Sequence, residues 1–93
     1  MSDKLRKSIY DKTHINLRKF WIDSRKKLNL SQRELANKLK INHSLVAKIE
    51  TGNRQLNCIE MVNYCYALEV NPYLVIDLID NYLKQENISI SKI

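Results

Sequence analysis

His43, Ser44 and Lys48, with Asn42 just before them, are the side chains of this 93-residue chain best placed to hydrogen-bond an external partner. They fall on the outward side of a short segment whose apolar stripe is Leu45, Val46 and Ile49. With Ala47 beside them, the outward residues are small or hydrogen-bonding, as the reading of base edges in a nucleic-acid groove requires. Catalysis has less to draw on. An enzyme needs a converging acid, base or nucleophile, yet the acids are scattered and His14 and His43 fall on different elements. No glycine-rich phosphate loop exists. The chain is therefore expected not to be an enzyme and to need no cofactor.

Metal chemistry is equally poorly served. Cys58, Cys65, His14 and His43 are too few and too widely spaced for a ligand set. The two cysteines lie on one predicted helix, about 10 Å apart along its axis, which is too far for a disulfide. They read as reduced core thiols.

The element that must present Asn42 to Lys48 is half of a two-helix unit over residues 30–52. Ser31 and Glu34 form an S-x-x-E capping box that opens the first helix, 32–39. Leu35, Ala36 and Leu39 give it one apolar face. The pattern breaks at Lys40-Ile41-Asn42, Asn42 can cap the second helix, 42–51, and Gly52, the only glycine, stops it. Neither helix would be stable alone in water. The methyl side chain of Ala36 lets them approach closely.

This stretch resembles the helix-turn-helix of the lambda-repressor/Cro-like family, the XRE group of transcriptional regulators. The residues carrying the resemblance are Leu30-Ser31-Gln32, Glu34-Leu35-Ala36, Lys38-Leu39, Ile41, Ser44, Val46, Lys48-Ile49-Glu50, Gly52 and Arg54, with Ala67-Leu68 and Val70 further on. It covers roughly residues 17–79. The family usually has glycine where this chain has Lys40. A left-handed backbone there costs a non-glycine residue about 1 kcal/mol. The fold implied is all-α: a five-helix lambda-repressor-like DNA-binding domain with an N-terminal extension and a long last helix.

Size and composition agree with one such domain, over residues 15–86. At 44% hydrophobic residues the chain can build a small core, and one glycine and one proline argue against an all-β architecture. No apolar run is long enough to span a membrane, and residues 1–12 do not read as a signal peptide, so the expected location is the cytoplasm. The net charge of +6 is unevenly spread. Residues 1–28 carry nine Lys/Arg against three acids, residues 29–56 five against two, and residues 57–93 two against five. A basic first part joined to a mildly acidic end suits one face toward phosphates and another toward a protein partner.

Taken in order, residues 1–14 are either a short docked helix, with Leu5 and Ile9 four apart, or a basic arm following DNA. Thr13 is a candidate cap for a helix over 14–28, whose inner side is Ile15, Leu17, Phe20, Trp21 and Leu28, with Trp21 as core anchor. Arg18 and Arg25 on its remaining surface are candidate phosphate contacts. Asn29 can adopt the left-handed conformation that ends it. Asn57 and Glu60 form a second capping box, opening a helix to about residue 68 with Cys58, Met61, Val62, Cys65 and Leu68 on one face and Tyr66 away from it. Pro72 sits in the first turn of the last helix. That helix is apolar on two sides: Val75, Leu78, Ile79 and Tyr82 on one, Tyr73, Ile76 and Leu83 on another. The second side, with Tyr66, is expected to bury itself in a second copy of the chain. The alternative is packing on the N-terminal segment. Residues 87–93 could be a frayed tail or a short strand across a dimer.

The resemblance implies a role for each group. Helix 42–51 would enter the major groove, with Gln32, Asn42, His43, Ser44, Leu45 and Lys48 at or near the bases. The loop after it would follow the sugar–phosphate backbone, with Thr51, Asn53, Arg54 and Gln55 as donors. For Arg54 the alternative is a salt bridge within the protein, with Glu50 as candidate partner. The expected function is a sequence-specific regulator, a repressor, binding a palindromic double-stranded DNA operator as a homodimer. The alternative is a protein-interaction adaptor or antitoxin-like module on the same fold. Small relatives of this kind include phage-type repressors, restriction–modification controllers and antitoxins.

Overall fold

The computed structural model describes residues 11–86, so the expectations for residues 1–10 and 87–93 lie outside the described residues. Five helices follow one another: α1 (Lys12–Lys27), α2 (Gln32–Leu39), α3 (His43–Thr51), α4 (Cys58–Leu68) and α5 (Pro72–Glu86). The described residues contain no strand.

Each helix begins where a side chain satisfies the free N–H groups of its first turn. Asp11 caps α1 by accepting from the Thr13 N–H at 2.8 Å. The expected cap, Thr13, is instead buried inside the first turn. A carboxylate two residues earlier does the capping and frees Thr13 to pack. Ser31 and Glu34 bond reciprocally at the start of α2, at 3.0 and 2.8 Å. Asn42 accepts from the Ser44 N–H at 3.0 Å. Asn57 and Glu60 repeat the reciprocal box on α4, at 2.8 and 2.9 Å.

Three helix ends share one construction. Asn29, Lys40 and Glu69 are left-handed, with φ of 56°, 58° and 59°. The next N–H, from Leu30, Ile41 or Val70, donates back to Arg25, Ala36 or Cys65 at 3.0–3.2 Å. Leu30, Ile41 and Val70 then pack on the core, which is the apolar contact that accompanies such ends. Lys40 therefore does carry the left-handed strain that glycine would avoid. Gly52, at φ 89°, ends α3.

The core joins all five helices. Trp21 of α1, only 2% exposed, meets Tyr64 of α4 edge-on at 5.1 Å. Leu35, Ala36, Val46, Ile49, Cys65, Ala67, Leu68 and Val75 complete it. Ala36 is buried, as the close packing of α2 and α3 demands. Two expectations fail here. Ile15 is 45% exposed, because six positions at 100° each place it about 120° around α1 from Trp21. Cys58 is exposed rather than a core thiol. It shares the face of Cys65, but it is the first residue of α4, where the helix runs past its packed part. Lys12 and Asn16 line one groove with Tyr82 and Gln85, so the start of α1 lies beside the end of α5.

Candidate nucleic-acid interface

The outward side of α3 follows from what its inward side buries. Val46, Ile49 and Glu50 are buried, while Asn42, His43, Ser44 and Lys48 are exposed and Leu45 and Ala47 half-buried. The expected reading face is thus accessible over the first turn and a half of the helix. The Asn42 cap uses the carbonyl oxygen, which leaves its amide N–H2 as the group able to donate outward.

Glu50 is the unexpected centre of the arrangement. Its side chain is 4% exposed and that of Arg25 is 12% exposed. Arg25 Nε donates to Glu50 Oε2 at 2.7 Å, Nη2 to Oε1 at 3.1 Å, and Nη1 to the Leu30 carbonyl at 2.8 Å. Gln32 Nε2 also donates to Glu50 Oε1, at 2.9 Å. One carboxylate therefore ties α1, α2 and α3 together. The Glu50 bond raises the pKa of Arg25 above its ordinary value, against the opposing effect of burial. The Arg25 guanidinium is turned into this network, so the structure does not present it as the free surface cation that the sequence suggested. Gln32 keeps one amide N–H beyond the one given to Glu50.

Behind Glu50 lies Tyr64. Its hydroxyl is buried and has no hydrogen-bond partner among the described residues. Burial drives its pKa upward, the Glu50 carboxylate adds to this, and Arg25 opposes it.

Arg54 is paired, but with Glu60 rather than Glu50. Nη2 donates to Glu60 Oε2 at 2.6 Å and Nη1 to Oε1 at 3.0 Å, while Nη1 also reaches the Gln55 carbonyl at 2.9 Å. Both side chains are about one-third exposed. Arg54 chiefly, then the Asn57 N–H, holds the Glu60 carboxyl down at about 2. Arg18, Arg54 and Gln55 line one cavity of about 80 Å³, together with Trp21 and Ile49, so three of the expected phosphate residues are brought together. Asn53 and Thr51 are exposed, but the Thr51 hydroxyl donates to the Ala47 and Lys48 carbonyls at 3.0 and 3.2 Å.

On α4 and α5, Tyr66, Tyr73, Ile76 and Leu83 are exposed, Tyr73 by 80%. Ile59 and Leu74 are exposed with them and were not anticipated. The signal for Ile59 was its seven-residue spacing from Tyr66, which puts both on one helix face. Among the described residues, no helix is long and apolar enough to cross a membrane.

Comparison with known proteins agrees with this arrangement. A family model described as helix-turn-helix matches residues 23–65. The chain is similar to a solved XRE-family like protein from Pseudomonas syringae pv. tomato str. DC3000, with 26% identity and a TM-score of 0.73, over 84% of this chain and 95% of that one. No curated protein matches. The sequence match, the shared fold and the paired short helices make residues 23–65 a helix-turn-helix unit, similar to that of the XRE-family like protein.

Proposed function

We propose that this protein is a sequence-specific regulator, a repressor, that binds double-stranded DNA as a homodimer and reads the major groove with α3. The observation that carries the reading is the division of α3 between a buried side, Val46, Ile49 and Glu50, and an exposed side that holds only groups able to hydrogen-bond. Lys48 donates to guanine O6 or N7, His43 to a purine N7, and Asn42 and Ser44 reach neighbouring edges. Leu45, half-buried, offers at most its outer methyl to thymine. Gln32 gives its second amide N–H to the DNA backbone at the start of α2, where the helix dipole assists. Arg18, Asn53, Arg54 and Gln55 follow the phosphates, and Thr51 contributes less because its hydroxyl is committed within α3. Arg25 acts from inside, by holding Glu50. Tyr73, Ile76 and Leu83, with Tyr66, meet the second copy, and two copies of α3 about 34 Å apart match palindromic half-sites one turn apart.

The test selects bound sequences from a random duplex pool and measures the protein's mass in solution. Enrichment of a palindrome by a species of twice the chain mass supports the reading. Lys48→Ala then relaxes preference at one base pair per half-site, by about 10- to 100-fold, whereas Arg54→Ala weakens every sequence alike. A protein with no salt-dependent affinity for any duplex is an adaptor instead.

A further inference from the structure

Glu60 is an acid placed where a phosphate-following loop has least use for one. It takes both Nη atoms of Arg54, at 2.6 and 3.0 Å. It cannot readily turn aside, because the same carboxylate accepts the Asn57 N–H at 2.9 Å and so closes the cap of α4. A carboxyl held at about 2 stays ionised in any ordinary binding buffer.

We infer that Glu60 is a brake on Arg54, a positioning residue that keeps the guanidinium in a neutral pair and thereby lowers the protein's affinity for duplex DNA of every sequence. The inference rests on the DNA-binding reading above. Binding through lysine and arginine draws its strength from released counterions, about 0.9 per phosphate neutralised. A cation already neutralised by its own protein releases fewer. As the loop nears the backbone, Arg54 must either part from Glu60 or carry a carboxylate toward the phosphates. Both routes reduce affinity, and neither involves a base.

Glu60→Gln separates the brake from the cap, since glutamine also closes a capping box. Affinities of the full chain for a random duplex and for a selected site are measured across a salt series. The expected result is a log–log salt slope steeper by about 0.9 and binding roughly five- to tenfold tighter near 0.1 M salt. Random and selected DNA gain equally, so their ratio stays fixed. Glu69→Gln is the matched control. It removes the same charge from another ion pair, with Lys38 at 3.6 Å, and leaves the slope unchanged. The brake is overturned if Glu60→Gln binds no tighter than the parent, if Glu69→Gln gives the same gain, or if the gain is confined to one sequence. Should the parent protein show no salt-dependent affinity at all, the DNA-binding reading falls and the brake with it. If the parent binds and Glu60→Gln leaves that binding unchanged, the brake alone falls.

Discussion

Replacing Glu50 by glutamine is the sharpest test of how α3 is seated. Glutamine keeps the volume, so no cavity confounds the result. It loses the charge, and it turns an N–H2 toward donors. Arg25 then keeps one good acceptor, the Leu30 carbonyl, out of the three it has. Gln32 must compete for the remaining oxygen. Because the side chains are 12% and 4% exposed, water cannot replace what is lost. Breaking one side of such a pair costs about 3–5 kcal/mol, against about 0–1 kcal/mol for a pair in solvent.

Taking about 3 kcal/mol, the unfolded-to-folded ratio rises by roughly two orders of magnitude and the melting temperature falls by about 12–24 °C. Urea titration at neutral pH measures the difference directly. The double change Arg25→Met with Glu50→Leu removes both charges and should recover at least half of the loss. A single-variant loss under about 1 kcal/mol would refute the reasoning. Arg25–Glu50 would then be an ordinary surface pair, and the orientation of α3 would rest on Val46 and Ile49 alone.

Other consequences can be measured with the same assay. Lys40→Gly relieves the left-handed strain at φ 58° and should stabilise by about 0.5–1 kcal/mol; an unchanged urea midpoint would count against strain there. Tyr64→Phe deletes a buried hydroxyl that has no partner among the described residues, so stability should hold or rise by about 1 kcal/mol, and a clear loss would show that the hydroxyl is bonded in solution. Glu60 is held at about 2 and Glu34 below its ordinary value, the latter by the Ser31 N–H first and its hydroxyl second. Both folded values lie below the unfolded one, near 4.3, so their stabilisation is complete above about pH 5 and is lost as pH falls toward 2. Melting temperatures from pH 5 to 2 should fall less steeply for Glu34→Gln with Glu60→Gln than for the parent, and parallel curves would contradict this.

What was legible in the sequence was what is settled within a few residues. The two capping boxes, the Asn42 cap, the left-handed Asn29 and the stop at Gly52 each depend on groups no more than five positions apart. The period of Val46 and Ile49 likewise fixed which side of α3 faces out. Arg25–Glu50 spans 25 residues and Gln32–Glu50 spans 18, and no local pattern gives the register between α1 and α3. An arginine in the last turn of a basic helix therefore read as a solvent cation. Glu50 could have raised the question, since it directly follows Ile49 on the inward side, where an acid needs a partner.

This failure bears on function more than the successes do. The apolar period alone would let α3 rotate by some tens of degrees on its bed of Leu35, Ala36 and Tyr64. A carboxylate with three hydrogen bonds would not, because two planar groups, the Arg25 guanidinium and the Gln32 amide, fix its position from α1 and from α2 at once. The side of α3 that carries His43, Ser44 and Lys48 is thus held from behind, by Arg25 and Gln32 acting through Glu50. Substitutions at Arg25 or Glu50 should disturb discrimination among bases as well as stability, whereas Arg54 and Glu60 should alter only how tightly DNA of any sequence is held.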